Sequence, residues 1–375
     1  SSDAQRLMHV HSYHFDGHQV GAYFKKLSTE QGTRHIDAEF SHLTQSETGD
    51  ITSISLNTGQ TVEADVFVDA SGFARLLGPA VGAGWHSYSD SLTCDRAMPF
   101  QLPHLDRIDA LTEAHALSAG WMWQIPVQQR RGCGYVFDSD FITPDQAQQE
   151  IETVLGHPID PIKIIKFDSG RVEHTFAHNV VSLGLAGNFL EPLQATNLHG
   201  TITQLWCMTE MWLRPWGVAG PRETKNINDI ITRSFDMFAD LIQTHYHGGR
   251  SDTEFWRYQQ TVPERPRLTL LREIGQHRWP VQADWGAPQV GGSGYGVSIY
   301  PMLEYGWLAG AIEQEQLSQS QIDRYHQEMA KLDLLEGAAM NNTVLVNRLR
   351  RYGGVHEPVS AQLPTDLRRL LELGR

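Results

Sequence analysis

Cysteine is scarce in this chain. Its 375 residues include three, Cys94, Cys133 and Cys207. An odd number at wide spacing frames no disulfide scaffold and no zinc site, and it points to a reducing, cytoplasmic setting. Positive charge is short as well. Thirty Lys and Arg stand against 44 Asp and Glu, a formal net charge of -14, which leaves no basic stripe for nucleic acid. No apolar run approaches the roughly 18 residues of a membrane span, and no secretory leader pattern opens the chain. Neither nucleic acid nor a membrane is an expected partner. A G-x-S-x-G elbow is missing, so a serine hydrolase has no support. The glycine-rich GGSGYG at 291–296 lacks G-x-G-x-x-G spacing and follows a poor strand, QADWGAPQV. It reads as a mobile loop and not as a dinucleotide site.

What is present is an ordinary globular composition, 40% apolar and 20% charged, with ten tryptophans. The length suggests two or three structural units. The chain opens SSDAQRLMHVHSYHFDG, with no initiator Met and no helix cap, and reads as the interior of a longer protein. His9, His11 and His14 form an H-x-H pattern that could face a metal. No Cys or carboxylate cluster completes a ligand set, so structural histidines are the simpler reading and no metal is assigned.

Periodicity supplies the organisation. Val20, Phe24 and Leu27 in 18–30 predict a helix that Gly32 can end. The following HIDAEFSHLTQSETGDITSISLNTGQTVE is a β-meander, with turn signals at Thr48-Gly49-Asp50 and Asn57-Thr58-Gly59. Asp65 to Ala70 make a buried strand that stops at Ser71-Gly72. GWMWQIPV and GYVFDSDF are two strands joined by a polar connector, Gln128 to Gly132. A short amphipathic helix covers 145–155. Val180, Val181, Leu183 and Leu185 predict one buried strand, and a helix is expected from about Thr196 to Trp212. Two further stretches, 224–243 and 319–336, hold a 3.6-residue apolar period.

Two segments bear on chemistry. Trp121 and Trp123 lie two apart, so on a strand they share a face and form an aromatic wall, in a core or at a site. AGNFLEPLQATNLHG at 186–200 is a strand, a turn and a helix start. The first N–H groups of such a helix are unpaired and can hold an anion, a phosphate or a flavin carbonyl oxygen. A plain strand-to-helix connection would look the same.

Together these stretches resemble the flavin-dependent halogenases of the tryptophan halogenase type. The W-x-W-x-I-P signature of that family stands as Trp121-Met122-Trp123-Gln124-Ile125-Pro126. Its E-P-L-E-S-T-G segment matches Glu191-Pro192-Leu193-Gln194-Ala195-Thr196-Asn197. SYHFDGHQV, EADVFVDASG and HYHGGRSDTEFW fit in the same order, from about residue 11 to 260. The resemblance implies an α/β (α+β) fold of the hydroxybenzoate-hydroxylase FAD-binding type. Residues 1–78 and 166–215 would belong to the FAD-binding domain, 79–165 to a β-sheet substrate region, and 216–375 to a mostly helical C-terminal region. It implies FAD, supplied as FADH2 by a separate flavin reductase, with O2 and a halide, chloride or bromide. The product of that chemistry, hypohalous acid, would halogenate an indole or other electron-rich aromatic; the family also allows a homodimer.

Carried over by position, Gly187, Asn188, Pro192, Leu193, Thr196 and Asn197 would border the flavin, and the backbone at Thr196 and Asn197 would bind halide. Trp121, Trp123, Ile125, Pro126 and Glu191 would line the barrier between flavin and substrate. Gln194 takes the catalytic position. It departs from the family, because an amide cannot accept the proton lost from the ring. Ala195 and Asn197 replace Ser and Gly, and Asn197 is expected to keep the turn by tolerating left-handed angles. The family's N-terminal G-x-G-x-x-G and catalytic lysine would lie upstream of Ser1. The tyrosine pair that clamps tryptophan is not recognisable in 265–310. A flavin hydroxylase, or a catalytically silent homologue that binds an aromatic, are the alternatives.

Overall fold

The structure, a computed structural model, describes residues 13–104, 108, 111–285, 302, 305–314, 319, 320, 323 and 327. His9, His11, the GGSGYG stretch and most of the 319–336 period lie outside the described residues.

Helix α1 (Gly17–Glu30) begins where Asp16 accepts the His18 and Gln19 N–H groups. It buries none of its residues. The meander follows as β1 (Phe40–Gln45), β2 (Ile51–Leu56) and β3 (Thr61–Glu63), antiparallel in that order. β4 (Phe67–Asp69) then runs parallel to β13 (Val180–Ser182), which also pairs with β12 (Phe176–Ala177). Where β4 ends, Asp69 ties its own turn. Its carboxylate accepts from Ser71 Oγ at 2.6 Å and from the Leu77 and Gly78 N–H groups at 2.7 and 3.1 Å.

β5 (Trp85–Ser87), β11 (Gly170–Val172) and β14 (Asn188–Phe189) form a small sheet. The larger one has five antiparallel strands in the order β10-β6-β9-β8-β7. Its members are β6 (Arg96–Leu102), β7 (Glu113–Leu117), β8 (Gly120–Pro126), β9 (Arg131–Phe137) and β10 (Ile165–Lys166). β9 starts earlier than the sequence suggested and stops at Phe137. The polar connector is therefore only Val127 to Arg130, because Arg131 and Gly132 already pair with Pro126 and Ile125. Helix α2 (Pro144–Leu155) carries a Thr143/Gln146 capping box and buries Ala147 and Ile151.

The strand predicted through Leu185 is shorter than expected. β13 ends at Ser182, and Gly184 to Ala186 turn in a 3-10 helix that leaves Leu185 exposed. Alternating apolar residues cannot tell a strand end from a turn whose side chains also alternate. α3 (Thr196–Trp206) follows and passes into one π-helical stretch, Cys207–Trp212. A two-stranded hairpin, β15 (Leu213–Arg214) and β16 (Gly217–Val218), leads to α4 (Pro221–Tyr246). α4 buries Ile227, Ile231, Phe235, Phe238 and Ile242, as its period predicts. α5 (Glu254–Gln259), α6 (Pro266–Gly275) and α7 (Ala309–Gln314) complete the described helices. One apolar core joins the inner face of the five-stranded sheet to α2, α4 and α5. The C-terminal end of α4 meets the turn before α3, where Tyr246 reaches Glu191.

Candidate active site

The site grows from a strand and a turn that are distant in sequence. On β8, Trp121, Trp123 and Ile125 point to one face because side chains alternate along a strand. The two indoles lie 6.0 Å apart, tilted by 55°. Trp121 and Pro126 are buried, while Trp123 and Ile125 are half-buried. Across the hairpin, Trp123 pairs with Gly134. A Cβ at Gly134 would sit 2.1 Å from the Trp123 ring. Glycine there lets the indole lie against the neighbouring strand. Beyond Pro126, the His14 Nδ1 donates to the Pro126 carbonyl at 2.9 Å, and its Nε2 is 3.1 Å from Thr112 Oγ1. Of the three N-terminal histidines, this one is tied structurally. No group of three His, Cys, Asp or Glu among the described residues is arranged to hold a metal.

The turn is 186–197. Gly187 is packed so closely that a Cβ would meet the Ser182 carbonyl at 2.3 Å. Asn188 is buried, and its amide N–H groups donate to the Gly184 carbonyl and to Gln204 Oε1 at 3.1 and 3.3 Å. Its Oδ1 has no partner. The Asn197 side chain accepts from the Leu190 N–H at 2.9 Å and donates to the Leu190 carbonyl. The left-handed backbone does not fall at Asn197, as expected, but at Gln194 (φ 59°) and Ala195 (φ 53°). Asn197 is helical, and its value to the turn is the clasp on Leu190. Ala195 is the N-cap of α3 and offers no side-chain hydrogen bond. The first N–H groups of that helix therefore lack a side-chain cap. Thr196 Oγ1, on a residue 2% exposed, has no partner either.

Glu191 joins strand to turn. It is fully buried, and its Oε2 accepts from Trp121 Nε1 at 2.6 Å and from Tyr246 Oη at 2.5 Å. Oε1 has no partner. Burial pushes the carboxyl up to about 7, against the opposing pull of the Tyr246 and Trp121 hydrogen bonds. Tyr246 also lies 3.4 Å from Cys94 Sγ, and its ring stacks on Trp256 at 5.8 Å. Trp256 in turn donates to the Leu117 carbonyl at 2.7 Å. Gln194 sits apart from this buried group. It is exposed, and its amide nitrogen is 3.4 Å from His245 Nε2.

The structure brings Trp121 and Glu191, both singled out in the sequence, together with Tyr246 and Cys94, and sets His245 beside Gln194; Tyr246, Cys94 and His245 were not singled out. The signal was the HYH triplet at 245–247. It sat inside a recognised segment, yet nothing in its spacing shows which residue of a helix end faces a turn far earlier in the chain.

A five-stranded antiparallel sheet, a smaller sheet with a parallel pair and a helix aimed from a glycine-containing turn define a class of fold. It is shared with the solved structure of Xcc4156, a flavin-dependent halogenase from Xanthomonas campestris. That likeness has a TM-score of 0.77 at 25% identity and covers 90% of this chain and 68% of that one. The family model described as tryptophan halogenase matches residues 2–291, and the chain belongs to that family. Tryptophan 7-halogenase RebH of Lentzea aerocolonigenes is 35% identical over 255 residues, 66% of this chain and 48% of its own length. Tryptophan 6-halogenase ThaL of Streptomyces albogriseolus is 31% identical, with the same two shares of 66% and 48%. The chain spans about half the length of the curated relatives it matches.

Proposed function

We propose that the protein is an FADH2-dependent halogenase acting on an indole or another electron-rich aromatic. The observation that carries this reading is Glu191, which holds Trp121 of the aromatic wall and opens the turn that leads to the uncapped end of α3. The residues suit a bound flavin and halide. Thr196 Oγ1 is buried and unpartnered, and the first N–H groups of α3 can face an acceptor oxygen or an anion. Gly187, Asn188, Pro192 and Leu193 would flank the flavin, and the backbone at Thr196 and Asn197 would take the halide. When bound, reduced FAD from a separate reductase supplies the activated oxygen that converts halide to hypohalous acid. The chain's own part is exclusion and placement. Trp121 and Trp123, braced by Glu191 and by the strand across from them, keep bulk solvent and substrate apart from the reactive oxygen.

The test is purified protein with a flavin reductase, NADH, halide and a panel of indoles. FAD binding with no halogenated product from chloride, bromide or iodide would refute the reading. Gln194 favours a second one, a silent homologue that binds an aromatic. Gln194→Glu separates the two, since a competent site gains turnover and a silent one does not.

A further inference from the structure

Electrophilic halogenation of an aromatic ring releases a proton, and Gln194 has no basic atom to take it. Glu191 is fully buried, with Oε2 accepting from two donors and Oε1 enclosed, whereas the Gln194 side chain is exposed. One basic nitrogen does lie against Gln194. His245 Nε2 is 3.4 Å from the Gln194 amide nitrogen, which donates to it. The other imidazole nitrogen is committed: Nδ1 donates to the Leu241 carbonyl, one turn back in α4, at 2.8 Å. That bond fixes the tautomer and leaves the lone pair on Nε2. The backbone is held too, because the Tyr305 hydroxyl donates to the His245 carbonyl at 3.4 Å. Burial, opposed by the Leu241 hydrogen bond, keeps the imidazole below its ordinary pKa and so unprotonated at neutral pH.

We infer that His245 Nε2 is the proton acceptor for the halogenated ring: the Nδ1 bond to Leu241 orients the imidazole, and the exposed Gln194 amide swings off the Nε2 lone pair as the ring takes its place. The inference rests on the halogenase reading. As the carbon–halogen bond forms, the halogen–oxygen bond of hypohalous acid breaks, with its electron pair leaving on oxygen as hydroxide. The ring C–H pair returns to the aromatic system, and the proton passes to Nε2. The imidazolium then gives that proton to hydroxide, and water leaves.

His245→Asn keeps an amide donor near the Leu241 carbonyl and removes the basic nitrogen. In the full protein with reductase and halide, it lowers kcat by about 100- to 10,000-fold with KM little changed. Adding Gln194→Glu in the same chain restores turnover, which a merely structural defect would not allow. A kcat within about threefold of wild type, or no rescue by the second substitution, overturns the inference. A readout that needs no turnover separates it from the reading beneath it. Diethyl pyrocarbonate should acylate His245, as read by peptide mass, and saturating indole should slow that labelling several-fold. A wild-type protein that makes no halogenated product overturns the halogenase reading. An unlabelled His245, or labelling indifferent to indole, overturns the role of His245.

Discussion

Replacing Glu191 by glutamine removes a pH dependence of stability whose size can be worked out beforehand. The folded carboxyl titrates at about 7, against an ordinary 4.5. Below about pH 4.5 it is protonated in both the folded and the unfolded chain. Between that point and about 7 the folded chain keeps a proton that the unfolded chain has lost, so stability falls as pH rises. Above about 7 both forms are ionised and the loss is complete. At about 1.4 kcal/mol per pH unit, the interval amounts to about 3 kcal/mol. The glutamine side chain cannot ionise, yet its carbonyl oxygen can still accept from Trp121 and Tyr246. Any fixed effect of its NH2 group is the same at every pH. The difference E191Q minus wild type therefore climbs by about 3 kcal/mol between pH 4.5 and 8. Asp240, pushed up to about 6 by burial, titrates alike in both proteins and cancels. Urea unfolding followed by tryptophan emission at several pH values measures the difference. A difference flat to within about 0.5 kcal/mol would show that Glu191 is not a buried carboxyl of raised pKa.

Three other perturbations follow from the same geometry. Gly134→Ala drives a methyl into the Trp123 ring and should destabilise by about 1–3 kcal/mol in urea unfolding, with a change in tryptophan emission; an unchanged midpoint would refute the close approach. Asp69→Ala strips the acceptor from Ser71, Leu77 and Gly78, an effect of about 2–4 kcal/mol at neutral pH. Burial raises the Asp69 pKa, but those hydrogen bonds outweigh it and leave the pKa depressed. Its contribution is thus present at neutral pH and fades as pH falls through the folded value, so the acid limb of the stability curve should be shallower in the variant. Ala195→Gly relieves a left-handed alanine at some loss of chain entropy, so calorimetry should find it neutral to about 1 kcal/mol more stable; a clear destabilisation would contradict the assigned backbone.

Local chemistry was legible in the sequence wherever one period decides the outcome. The spacing of Trp121 and Trp123 gave their common face, the stripe from Ile227 to Ile242 gave the buried side of α4, and the apolar period in 145–155 gave all but the first residue of α2. The turn at 186–197 was legible as a turn but misread in its interior. Composition pointed to Asn197 as the left-handed residue, whereas the chain spends that conformation on Gln194 and Ala195 because Asn197 is needed for its side-chain bonds to Leu190. The contacts that make a site were not legible at all. Trp121 meets Glu191 across 70 positions, Glu191 meets Tyr246 across 55, and Gln194 meets His245 across 51. Such pairs are set by how a sheet, a turn and a helix end pack together, and no periodicity within one segment records that.

The Asn197 clasp on Leu190 has an evolutionary consequence. One side chain bonds both backbone groups of a residue seven positions earlier, as a neighbouring strand would, so the loop is closed at its base. Gln194 and Ala195 ride at its tip, and their side chains take no part in the clasp. The tip can therefore change its functional group while the mount stays fixed, in the manner of a tool holder that accepts different bits. An acid could give way to an amide there by a single substitution, with His245 standing beside it, and the loop would keep its shape through the exchange.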